Sequence, residues 1–257
     1  MPIGPKRIPF FEHIQELRYR LIVVVVTLVV ASTVLYAFTD PILQWLLAPI
    51  HGLLPGDKLN VFGPFETFTF RFKIALYAAI VVTSPVILWQ VFAFFLPALQ
   101  PKERKFFVPT IAAAVGLFVA GNVFCYKIIL NTAIGWMLGQ AGTNIAVVPA
   151  ADKFLSGITL LMLGFGIAFE LPIIVFYAIG FGLIPYAKLR ASWRYVYVAL
   201  MIIASVATPD WSPITMGLLF GALVFLYEGS LLLSRAVFGK RIRQQAIDAA
   251  EAVEALS

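Results

Sequence analysis

Glu12, Glu16 and Arg20 recur at every fourth position within FFEHIQELRYRL, residues 10–21. On a helix, residues four apart share a face, and a glutamate one turn before an arginine is the favourable order for an ion pair. Phe10, Ile14, Leu17 and Leu21 make a separate apolar stripe, and Arg18 points away from the acidic row. The stretch reads as an amphipathic helix lying at a membrane interface and running into the apolar segment behind it. On spacing alone two readings stand: a positively charged membrane anchor, or a binding surface. The anchor explains the arginines. It does not explain the carboxylates, because acids contribute little to membrane topology.

Three further carboxylates stand out. Glu103 lies in FFLPALQPKERKFF, where Pro97 and Pro101 are expected to end one span and start the next. At that position it either stabilises a helix N-terminus or binds a cation. Glu170, in GFGIAFELPII, sits in the middle of an apolar run, where an ionisable group is costly and marks a functional site by default. Pro172 frees a backbone carbonyl beside it. Asp210, in TPDWSP, either caps the following helix or starts a turn. Glu228 is within reach of Arg235 and reads as structural.

Catalytic and metal chemistry find no support. Cys125 is the single cysteine, and His13 and His51 are expected on opposite sides of the membrane. No H-E-x-x-H, G-x-S-x-G or P-loop pattern occurs. No cofactor, metal or nucleic-acid partner is expected, and the chain does not read as an enzyme.

The elements that must position these residues are membrane spans. The chain is 61% hydrophobic and 12% charged, with a mean hydropathy of +0.93. A soluble domain is nearer half apolar and a quarter charged. Six apolar runs are expected to span, at about 21–38, 74–97, 106–126, 154–180, 195–207 and 214–233. They form one polytopic domain over 1–238, followed by a polar tail over 239–257. The fifth run is short, so the last hairpin should thin the bilayer locally. Residues 39–73 carry turn signals and are expected to form a cap of short helices. Lysines and arginines concentrate in the N-terminal segment, the second–third and fourth–fifth connections and the C-terminal segment. That bias predicts both termini in the cytoplasm and accounts for most of the net charge of +6.

The ordered set of EHIQELRYRL, SPVILWQVFAFFLPAL with KERK, FGIAFELP and TPD resembles the TatC family, the core subunit of the twin-arginine protein translocase. The resemblance spans about 9–240. It implies an all-α fold of six transmembrane helices in a concave, glove-like bundle in the bacterial inner membrane, with short helices five and six. It implies recognition of twin-arginine signal peptides of folded cargo at Glu16, Arg18, Gln90, Phe94 and Glu103. Glu170 is implied as an intramembrane contact for partners, Pro49 as part of the external cap and Asp210 as part of the external turn. The implied partners are TatA- and TatB-type single-span proteins, further TatC copies and the lipid bilayer, with the proton-motive force as energy source. A guanidinium fork matches carboxylates bidentately, which gives the acidic row its purpose under this resemblance. The competing class is a proton-coupled small-molecule transporter using Glu170. It would need several polar groups at midplane, and the sequence there looks bare apart from that residue.

Overall fold

The computed structural model describes residues 10–53, 59–95, 107–140, 142, 148–180, 182, 184–208 and 212–254, with the backbone alone described at 10, 11, 13, 95, 107 and 240–254. The helices are α1 (Phe10–Tyr36), α2 (Thr39–Leu47), α3 (Pro64–Phe95), α4 (Phe107–Phe124), α5 (Leu130–Gly139), α6 (Ala151–Ala168), α7 (Leu171–Gly180), α8 (Tyr186–Ala191), α9 (Trp193–Ala207) and α10 (Pro213–Glu254). A 3-10 turn, Ala48–Ile50, follows α2, and a π-helical segment, Cys125–Ile129, joins α4 to α5. Among the described residues the only extended pairing is an isolated bridge between Asn60 and Ala150. Five stretches are long and apolar enough to cross a membrane: Ile14–Tyr36, Pro64–Phe94, Val108–Gly139, Ala151–Gly180 and Pro213–Gly239. Trp193–Ala207 is apolar and shorter. The expected all-α membrane architecture is present.

The charged N-terminal stretch does run, as expected, into the first span: it forms the first turns of α1, which is unbroken to Tyr36. Its apolar residues Ile14, Leu17 and Leu21 are exposed. Several details differ from expectation. The second span starts at Pro64 rather than near 74. Proline suits a first helical position. Glu66, three residues in, accepts the Phe62 N–H at 2.7 Å and the Asp152 N–H at 3.3 Å. Among the described residues the expected cap of short helices between spans one and two is made by α2 and the 3-10 turn, the stretch from Pro64 onward belonging to α3. The sixth span is capped by Ser212, whose Oγ accepts the Thr215 N–H at 3.4 Å, with Pro213 first in the helix. α10 runs beyond its apolar part, with a non-helical Phe238 (φ −103°, ψ 16°) marking the kink.

The fourth span breaks where its sequence requires. Pro172 has no N–H for the Ala168 carbonyl, and its ring disfavours helix one turn earlier. The chain tightens there: the Glu170 N–H donates to the Ile167 carbonyl at 3.0 Å, and the Ile173 N–H to the Glu170 carbonyl at 3.1 Å.

α1 packs on α3, α4 on α6 and α3, and α10 on α7 and α9. The approach of α4 to α6 depends on two glycines. A Cβ at Gly121 would lie 2.6 Å from the Phe165 carbonyl oxygen, and one at Gly166 2.5 Å from Asn122 Nδ2 and 2.8 Å from the Phe118 ring. Asn122 is buried, receives the Tyr77 hydroxyl on Oδ1 at 3.0 Å and donates to the Phe118 carbonyl at 2.9 Å. The bundle interior is therefore less bare than the sequence suggests. Gly166→Ala forces α4 from α6 and should cost about 1–3 kcal/mol. Thermal unfolding in detergent should show a clear loss of stability for Gly166→Ala and little for Gly116→Ala, where a Cβ meets open space.

Candidate functional site

α1 and α3 run antiparallel. Tyr36 meets the Phe68 ring at 6.1 Å near one end, while Arg20 bonds Gln90 near the other. Residue 20 thus lies opposite residue 90, and Glu16 is at the level of Phe94 by helical periodicity. Arg20 joins the two helices. Its Nη1 donates to Gln90 Oε1 at 3.1 Å, its Nε to Glu16 Oε1 at 3.1 Å and its Nη2 to the same oxygen at 2.5 Å. The pair is half-buried, with side-chain exposures of 21% for Arg20 and 25% for Glu16. That removes part of the screening that makes surface ion pairs nearly worthless.

Phe94 is half-buried one turn beyond Gln90. Arg18 is exposed, on a different face from Glu16. Glu103 and Asp210 fall outside the described residues, as do Pro97 and Pro101. The structure thus brings Glu16, Gln90 and Phe94 to one end of the α1–α3 pair. The spacing of Glu16 and Arg20 made their pairing legible. The bond from Arg20 to Gln90 was missed, and its signal was a lone glutamine in an apolar helix.

Pro49 belongs to the opposite end. It is half-buried, and its carbonyl accepts Asn131 Nδ2 at 3.2 Å. Beside it Trp45 stacks on Tyr126 at 4.3 Å with rings 5° from parallel, and the Tyr126 hydroxyl donates to the Trp45 carbonyl at 2.6 Å. Arg71 Nη2 reaches Asp40 at 2.6 Å, and Lys73 Nζ reaches Asp152 at 2.7 Å and Ser156 at 2.9 Å. These pairs let α3 carry two cations into a span.

Glu170 occupies the break between α6 and α7, with both carboxylate oxygens buried and without a hydrogen-bond partner among the described residues. Glu228 does not pair with Arg235. Arg190 Nη1 donates to its two oxygens at 3.2 and 2.9 Å, and the Tyr197 hydroxyl donates at 2.9 Å. The short α8 helix brings Arg190 onto Glu228 within α10, which linear spacing does not reveal. Among the described residues no group of three or more histidines, cysteines and carboxylates is placed to hold a metal.

These features define a multi-span membrane protein with a polar guanidinium-binding cluster at one end of its first helical pair and a buried carboxylate in its fourth span. The profile of the family described as Sec-independent protein translocase protein (TatC) matches residues 12–221. A relative from Frankia casuarinae named Sec-independent protein translocase protein TatC is 35% identical, over 90% of this chain and 66% of its own length. The Aquifex aeolicus protein of the same name is 32% identical, over 91% of this chain and 97% of its own. A chloroplast relative from Pisum sativum is 31% identical over 87% of this chain and 63% of its own. The crystal structure of a twin arginine translocase receptor, TatC, superposes with a TM-score of 0.76 at 32% identity, covering 86% of this chain and 99% of that one. The chain belongs to the TatC family of Sec-independent protein translocase proteins.

Two buried, unbonded oxygens lower folding stability, because each has given up water for nothing. Glu170→Leu should therefore raise thermal stability in detergent, by about 1–3 kcal/mol. A fall in melting temperature would show that the carboxyl group has a stabilising partner.

Proposed function

We propose that this chain is the receptor subunit of a twin-arginine translocase, binding signal peptides of folded cargo at the end of the α1–α3 pair. Glu16, Gln90 and Phe94 form the described part of this site; Arg18, on a neighbouring face of α1, and Glu103, outside the described residues, are assigned to it by the family resemblance. The carrying observation is Arg20: Glu16 and Gln90 already hold a guanidinium there, with three donor contacts of 2.5–3.1 Å. A guest arginine needs the same acceptors in the same geometry. Arg20 is therefore a resident competitor, and the guest arginine takes over its place on Glu16. The surrounding basic residues repel a ligand whose arginines find no carboxylate, which adds selectivity.

The concentration of lysine and arginine on this face supports a cytoplasmic location for it and for both termini. The six-span, glove-like form of the family fits the five long apolar helices together with a short fifth span, Trp193–Ala207; the sixth, Pro213–Gly239, is long rather than the short helix expected. TatA- and TatB-type single-span proteins and further copies of the chain are the proposed partners, with the proton-motive force driving transport. Glu170 serves as a contact for polar groups of a partner span, since its oxygens have no hydrogen-bond partner among the described residues. Pro49 supports the external cap and Asp210 the external turn. The transporter alternative is set aside by family membership.

Photo-crosslinking in membranes tests the recognition site. A twin-arginine signal peptide should crosslink about tenfold more than a twin-lysine one, and lose that advantage in Glu16→Gln and Glu103→Gln, since each charge-assisted contact contributes about 1.5–3 kcal/mol. Equal crosslinking of both peptides would sink the proposal. Arg20→Gln gives a separate sign test: removing a competitor should tighten peptide binding about threefold, whereas removing a mere support should weaken it.

A further inference from the structure

A second polar site lies away from the α1–α3 pair. A cavity of about 470 Å³ opens between α8, α9 and α10, lined by Arg190, Trp193, Tyr197 and Glu228. Its size is within the range of small-ligand pockets, about 300–1,000 Å³. We propose that it binds the headgroup of an aminophospholipid, a phosphate ester carrying a primary ammonium group. The leaflet, the cytoplasmic one, rests on the orientation proposed above; the headgroup chemistry does not.

The lining supplies one group for each part of that zwitterion. Among the described residues, Arg190 donates only through Nη1, to Glu228. Its Nε and Nη2 form the side-on fork that matches two phosphate oxygens. Lys188 and Arg190 end α8, and the Arg194 guanidinium lies 5.5 Å from the Trp193 ring centre, so the surroundings favour an anion. Glu228 Oε1 accepts both Arg190 and Tyr197, whereas Oε2 accepts Arg190 alone and keeps a lone pair for an ammonium N–H. Trp193 and Tyr197 meet edge to face with ring centres 5.4 Å apart and offer π-density to the same cation. A purely anionic headgroup would leave that acidic, aromatic half unused.

Position argues for a lipid rather than a soluble molecule. α9 has 15 residues, roughly 22 Å against a hydrocarbon core of about 30 Å. The cavity at its first turns therefore lies deeper than the average headgroup plane. A headgroup held by Arg190 and Glu228 is drawn inward to the end of the short span, which makes the local thinning a bound state instead of a continuous deformation.

Native mass spectrometry of the full chain in detergent tests this, with phosphatidylethanolamine, phosphatidylglycerol and phosphatidylcholine of identical acyl chains offered in equal amounts. The wild type should retain phosphatidylethanolamine about fivefold over each of the others, the scale of one desolvated ammonium contact. Glu228→Gln should abolish that preference, and Arg190→Gln should lower retention of all three. Trp193→Leu leaves the ion pair in place and should still cut the preference about threefold. Equal retention of the three lipids, or a preference unchanged in both Glu228→Gln and Trp193→Leu, overturns the proposal. So does full displacement by an equal concentration of O-phosphoethanolamine, which would assign the site to a soluble phosphate ester.

Discussion

An arginine near a membrane boundary keeps its charge, so its donors must be met by the protein or by water. Arg20 meets them with Glu16 on its own helix and Gln90 on the next. This matters more for α1 than for any other span. Val25, Val26, Val29 and Val30 are each about half exposed, and lipid tails do not distinguish one valine face from another. Apolar packing on α3 therefore leaves the rotation of α1 weakly specified. The Glu16–Arg20–Gln90 link supplies the missing specification. Under the function proposed above, structure and binding would share one set of acceptors.

The opposite end of the bundle uses its charges differently. Arg71 and Lys73 are consumed by Asp40 and Asp152, and Glu66 is consumed by two backbone N–H groups. Trp45, Tyr126, Asn131 and the Pro49 carbonyl close the cap over α5 with one stack and two hydrogen bonds. The basic end instead leaves Arg18, Lys188 and Arg194 exposed. At the cap end Arg71, Lys73 and Glu66 are satisfied internally while Lys127 and Lys153 stay exposed, so the two ends differ in how many of their charges are paired.

The spans and the Glu16–Arg20 pair were legible because helical periodicity and hydropathy act over short stretches. The break near Glu170 was legible in Pro172 for the same local reason. What the sequence hid is non-local. The start of α3 at Pro64 depends on Asp40 and Asp152, distant acids that accept Arg71 and Lys73. Glu228 finds Arg190 across 38 positions because α8 turns the chain back. Ser212 caps α10 with Pro213 first in the helix, a role its hydroxyl shows only once the helix start is known. Asn122 reads as one polar residue in an apolar helix until Tyr77 and Gly166 are brought to it.

Glu170 shows how a costly group is kept in place. The break at Phe169–Glu170 would be a weak point in an isolated helix, since the backbone ladder is interrupted there. Gly121 and Gly166 bring α4 against α6 just upstream, and Phe169 packs on Phe124 with ring centres 5.5 Å apart. The Thr110 and Tyr177 hydroxyls meet between α4 and α7 downstream. Both sides of the break are therefore fastened to α4, and Glu170 cannot leave its buried position by straightening or bending the span. Without a hydrogen-bond partner among the described residues, the two oxygens are held there by the packing of their neighbours, at a cost that this packing must offset.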